Sequence, residues 1–193
     1  MDAIIFTGDL ATTGMAEDLN VARNFISASP MGQGFVSATR FPTLNASQLP
    51  IFLMPGNHDR YVDDNGTPNC RRFDHEFAEY MPNFDDDIGY RIAEKENCQI
   101  AFLLADFCLQ AATDASDRHV TVLGQGRVYD DVLQSLVDKT DQLKTERNLA
   151  GLIWVIHFAP FDCGQHLLLH NYDALLDAAN KLGIVAILPL SFS

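Results

Sequence analysis

Ile51-Phe52-Leu53-Met54-Pro55-Gly56-Asn57-His58-Asp59 is the stretch on which the fold turns. Four consecutive apolar residues fit a strand buried on both faces, since a strand with one wet face would alternate. Pro55-Gly56 halts that strand. An amide, an imidazole and a carboxylate follow, all able to hold a cation or move a proton. An apolar strand ending in such groups has the form of a ligand loop at the carboxyl edge of an open α/β sheet.

Two other stretches share this form. Ile4-Ile5-Phe6-Thr7-Gly8-Asp9 is a short apolar run that ends in a carboxylate, and Leu152-Ile153-Trp154-Val155-Ile156-His157 is a longer one that ends in an imidazole. If the three strands are parallel neighbours, Asp9, Asn57, His58 and His157 converge on one small volume. Gly8 and Gly56 allow a tight backbone turn where each ligand is presented. A carboxylate can bridge two cations, an amide oxygen is a neutral hard ligand, and imidazole suits Zn, Fe, Mn, Co or Ni. His58, beside a ligand position, can face a substrate and donate a proton. Singly, each residue has a plainer reading. Asp9 after Gly8 reads as a turn residue, Asn57-His58-Asp59 as an Asn turn, and His157 as a satisfied core histidine. Their coincidence at three strand ends weighs in favour of a site.

The intervening sequence supplies the rest of an α/β domain. Helical spacing over 16–27 predicts a helix with Leu19, Val21, Ala22, Phe25 and Ile26 on its apolar face. A second helix is predicted over 71–80, with Phe73, Phe77 and Tyr80 on one side. Strands are predicted over 89–93 and 99–105, a long helix over 128–147, a helix over 172–182 and a last strand over 184–188. Residues 29–50, 61–69 and 113–126 read as loops. No repeat or interdomain linker interrupts residues 1–193, so a single domain with a sheet covered on both faces is expected.

Composition narrows the class. Of the 193 residues, 47% are hydrophobic and 20% charged, which indicates a globular chain. The formal net charge of −13 disfavours nucleic acid and anionic membranes as partners. It would also repel a phosphate substrate unless bound cations reversed the local field. No apolar run has the length of a membrane span, and the first residues lack the basic segment of a secretory signal, so a cytoplasmic protein is expected. Cys70, Cys98, Cys108 and Cys163 are far apart with no CxxC pair, and buried, reduced thiols are expected. His75 reads as a packing residue and His119 as loop surface. His166 and His170, four apart, invite comparison with a helical metal pair, but surface or packing roles suit their context better. Asp63, Asp64 and Asp85-Asp86-Asp87 read as solvated loop charges. Asp59 reads as a support for His58.

Phe6-Thr7-Gly8-Asp9-Leu10, Pro55-Gly56-Asn57-His58-Asp59 and Ile156-His157-Phe158 together resemble the second, third and fourth blocks of the calcineurin-like metallophosphoesterase family, in order and in placement at strand ends. The resemblance implies a four-layer α/β/β/α sandwich, two divalent metals and hydrolysis of phosphoric esters, small molecules or nucleotides, whether monoesters or diesters. It also implies that Asp9 bridges the metals, that Asn57 and His157 bind the second, and that His58 protonates the leaving group. The family's first block, Asp-x-His, has no room before Asp9, and Pro189-Leu190-Ser191-Phe192-Ser193 stands where Gly-His-x-His would follow. The expectation is therefore an incomplete sandwich, truncated at both ends, with impaired activity. The alternative is a non-catalytic remnant with at most one weak metal site. An exposed sheet edge at Ile4-Ile5-Phe6, and self-association through it, follow from the same expectation.

Overall fold

The computed structural model describes residues 4–27, 50–60, 71–81, 83–84, 87–108, 126–159 and 169–189. Its architecture is α/β. Strand β1 (Ile4–Phe6) pairs in parallel with β2 (Ile51–Leu53), Ile5 opposite Phe52. Between them runs helix α1 (Ala16–Ser27), whose first turn carries Glu17 and Asp18, the charge sign that a helix N-terminus favours. Helix α2 (Arg72–Glu76) follows β2.

A second sheet has the order β3-β4-β6-β8. Strands β3 (Ile88–Lys95) and β4 (Cys98–Ala105) are antiparallel. They are joined by Glu96 and Asn97 at φ 51° and 66°, two left-handed residues in a row as a type I′ hairpin turn requires. Strands β6 (Gly151–Ile156) and β8 (Ala186–Leu188) add in parallel to β4. Helices α3 (Asp130–Glu146) and α4 (Tyr172–Leu182) pack on this sheet's outer face, and α4 stops at Gly183 in the left-handed region. Two short strands, β5 (Gly126–Arg127) and β7 (Leu169–His170), form a parallel pair of their own.

The alternation of side chains fixes the layers. In β6, Leu152, Trp154 and Ile156 turn toward α3 and α4, whereas Ile153 and Val155 turn the other way, onto Met54 and Ile5 of the first sheet. In β2, Ile51 and Leu53 face α1 and α2 with Leu19, Ile26, Phe73 and Phe77. Helix, sheet, sheet and helix are thus stacked in four layers, as the resemblance implies.

Several expectations are corrected. The three strands that end in Asp9, Asn57 and His157 do not share a sheet: β1 and β2 lie in one and β6 in the facing one, so their ends converge across the gap between sheets. On α1, Leu19, Ala22 and Ile26 are buried, but Val21 and Phe25 are exposed: two and six positions after Leu19, they point about 200° and 240° around a 3.6-residue helix from it, away from the stripe that Leu19, Ala22 and Ile26 share. Residues 71–80 do not form one helix: α2 ends at Glu76, Phe77 caps it, and a separate 3-10 turn spans Ala78–Tyr80. Phe73 and Phe77, four apart, share one face and are buried with ring centroids 4.6 Å apart. Strand β1, expected to be buried, is half-buried. His75 is exposed, not packed, and Cys98 is exposed whereas Cys108 is buried. His170 lies in β7, so it shares no helix face with His166. His119, His166, Asp63, Asp64, Asp85, Asp86, Cys70, Cys163, the loops expected over 61–69 and 29–49, most of 113–126, and the chain ends at 1–3 and 190–193 lie outside the described residues.

Candidate metal centre

Each strand delivers one group to the convergence point. After β1 the backbone turns through Gly8, at φ 110°, and Asp9, at φ 54°. A side chain at Gly8 would run into the His157 imidazole and the Gly56 backbone, and one at Gly56 would run into Asp9 and His157. Only glycine lets the two loops and the imidazole approach so closely.

At the centre, Nε2 of His157 lies 2.9 Å from Oδ1 of Asn57 and 3.4 Å from Oδ2 of Asp9. The other imidazole nitrogen, Nδ1, donates to the Thr7 carbonyl at 2.7 Å, which orients the ring and leaves Nε2 to face the two oxygens. The remaining Asp9 oxygen, Oδ1, accepts the His58 N–H at 3.0 Å. Ligands about 2.0–2.2 Å from a common cation stand about 3.0–3.5 Å from one another, so these separations match the edges of a coordination polyhedron. Among the described residues no group of three His, Cys, Asp or Glu side chains comes together; here the third donor is the Asn57 amide oxygen.

The electrostatics agree with the geometry. Burial alone would lower the His157 pKa, but the hydrogen bond and charge of Asp9 outweigh it and hold the imidazole above its ordinary 6.5. Burial would raise the Asp9 carboxyl, yet His157 and the His58 N–H hold it below 3.8. A proton on Nε2 would point between the two oxygens, where a cation would take its place.

His58 opens a 3-10 turn (His58–Arg60) and is exposed, its Nδ1 donating to the Thr12 carbonyl at 3.0 Å. Asp59, expected to orient His58, has backbone partners: its oxygens accept the N–H groups of Ala11 at 2.8 Å, Gly56 at 2.9 Å and Leu10 at 3.3 Å. It ties the β1 loop to the β2 loop, while the Thr12 carbonyl holds the His58 ring. Its complete burial pushes its carboxyl up to about 6 in spite of those N–H bonds.

Two further charged groups stand beside the centre that the sequence reading did not single out. Asp106 directly follows β4, as His157 follows β6, and the neighbouring pair Ala105 and Ile156 places the two residues side by side. Arg60 is buried against it. The signal for Asp106 was present, a polar residue ending an apolar strand; Arg60 carried none beyond its adjacency to Asp59.

Two facing sheets covered by helices, with a carboxylate, an amide and an imidazole meeting where their strands end, define a metallophosphoesterase type of α/β domain. The family model for calcineurin-like phosphoesterases matches residues 1–188, and the chain belongs to that family. A search of curated proteins returns no match. No described helix is long and apolar enough to cross a membrane.

Proposed function

We propose that the protein is a metal-dependent hydrolase of phosphoric esters in which Asp9, Asn57 and His157 hold a divalent cation and His58 gives a proton to the leaving oxygen. The observation that carries this reading is the approach of the Asp9 and Asn57 oxygens to one nitrogen of an imidazole whose other nitrogen is engaged by Thr7. A cation of the Mn, Fe, Zn, Co or Ni kind supplies Lewis acidity toward water and positive charge against a phosphoryl group. That charge matters in a chain of net charge −13, which would otherwise repel its substrate.

The protein's own part is positional. Asp9 keeps one oxygen on the His58 N–H and turns the other toward the cluster. Thr7 fixes His157 as a ligand through its Nδ1–H. Thr12 fixes His58, so that Nε2 is the nitrogen that exchanges a proton with the ester oxygen. Asp59 holds the two loops in register beneath them.

Metal analysis of the purified chain, with hydrolysis of p-nitrophenyl phosphate and bis-p-nitrophenyl phosphate in Mn²⁺, tests the proposal and separates monoesters from diesters. His58→Ala is expected to lower kcat about 100-fold or more with metal content retained, whereas Asn57→Ala and His157→Ala lower both. Equal metal loss in all three variants would contradict the division of roles.

A second reading rests on one observation: among the described residues the cluster comprises Asp9, Asn57 and His157. Three protein ligands suffice for one cation. On that reading the fold and one weak site persist without turnover; one cation per chain and no hydrolysis of either ester would select it.

A further inference from the structure

Arg60 takes no part in the chemistry above, yet its side chain is only 1% exposed. Its Nε and Nη2 both donate to Oδ2 of Asp106, at 3.2 and 2.9 Å, and Nη2 also donates to Oδ1 of Asp74 at 2.6 Å. Asp106 is likewise 1% exposed, and its other oxygen accepts the Cys108 N–H at 2.8 Å.

Stability does not account for this pair. Two charges withdrawn from water forfeit hydration that their mutual attraction barely restores, and an apolar pair of the same volume commonly serves a core as well or better. Location does account for it. Arg60 closes the turn that His58 opens, and its N–H bonds the Asn57 carbonyl at 3.2 Å. Asp106 leaves β4 alongside His157, which leaves the neighbouring strand β6. The bridge therefore joins the loop that carries Asn57 and His58, from one sheet, to the strand ends that carry His157, from the other. A planar guanidinium with two N–H groups on one carboxylate oxygen gives such a joint a direction as well as a length.

We propose that Arg60 and Asp106 are positioning residues that set the Asn57–His58 loop against His157, and with it the fit of the cation and the reach of the His58 proton. This inference rests on the metal-site reading above. Removing one partner would strand a buried charge and could unfold the chain, so the informative variants are Arg60→Met combined with Asp106→Leu, which removes both charges, and Arg60→Lys, which keeps the charge without the planar fork.

Four quantities are measured on the full chain: the metal-free melt, Mn²⁺ affinity by calorimetry, and kcat and KM on bis-p-nitrophenyl phosphate. The double variant is expected to melt close to the wild type while losing about tenfold in Mn²⁺ affinity, and to lose kcat with KM little changed. Arg60→Lys is expected to recover only part of the affinity. Wild-type affinity in the double variant would overturn the inference, because the pair would then be packing alone. If the double variant does not melt cooperatively, full wild-type affinity in Arg60→Lys overturns it instead. A wild-type chain that binds no Mn²⁺ would overturn the metal-site reading, and this inference with it.

Discussion

At the scale of single residues, His157 organises the centre because its two nitrogens have different tasks. Nδ1 is engaged by Thr7, and Nε2 faces the Asn57 and Asp9 oxygens, where the proposed cation would compete with a proton. Since Asp9 holds the imidazole above its ordinary pKa, the proton competes effectively near neutrality. Mn²⁺ affinity is therefore expected to rise about tenfold per pH unit up to the folded pKa of His157 and to flatten above it, with release of one proton per cation. Calorimetry in buffers of different ionisation heat reads that proton directly, and an affinity independent of pH between 6 and 8 would remove His157 from the ligand set. Asp9, Asn57 and His157 were legible in the sequence because each terminates an apolar run. Asp106 has the same signature after Leu103-Leu104-Ala105. It differs in being neutralised by Arg60, a partner 46 positions away that no local pattern reveals.

At the scale of elements, helix α3 and strand β6 show how a polar pair completes an apolar layer. The buried Trp154 donates its indole N–H to Oγ1 of Thr140 at 3.0 Å, and that hydroxyl donates to the Leu136 carbonyl at 2.7 Å. Thr140→Val keeps the shape but strands the indole N–H, so a loss of about 1–3 kcal/mol is expected in urea denaturation, with Thr140→Ser nearer to wild type. Mn²⁺ affinity should not change, because α3 lies on the outer face of its sheet. Elements with a long period, such as α3 and α4, were readable almost to the residue. The limits lay where periodicity has too little length to act: β5 and β7 span two residues each, and α2 spans five before Phe77 caps it and a 3-10 turn follows. Exposure of Val21 and Phe25 on α1 shows that apolar content alone does not fix a helix's inner face; the angular position of Leu19, Ala22 and Ile26 does.

At the scale of the whole molecule, acid and metal are expected to act in opposite senses. Asp59 and Asp87 have carboxyls raised by burial from 3.8 to about 6. Their contribution to stability is full below pH 3.8 and is lost as pH rises through 6. His157, raised above 6.5, contributes stability below that value and loses it as pH rises through its folded pKa. Asp9, lowered, loses its contribution only below about pH 3.8. The metal-free chain is thus expected to melt higher at pH 5.5 than at pH 8. With excess Mn²⁺ the order should reverse, because the cation binds the deprotonated ligands and stabilises by mass action. Differential scanning calorimetry with and without EDTA checks both halves, and the same pH order in both conditions would deny a link between protonation and the cation. The four-layer stack itself was implied by the family resemblance, but the assignment of β6 to the facing sheet was not, since apolar runs do not declare which sheet they join.

The division of Asp9, Asn57 and His157 between those two sheets has a mechanical result. Asp9 and Asn57 belong to one slab and His157 to the other, and among the described residues Met54, Leu104 and Val155 are buried between the slabs with Ile5, Phe84, Phe102 and Ile153 packed against them. Sliding one slab over the other would pull the imidazole away from its oxygens. An ion seated among them would act as a rivet across that seam, beside the Arg60–Asp106 bridge, at the place where the proposed substrate would be gripped.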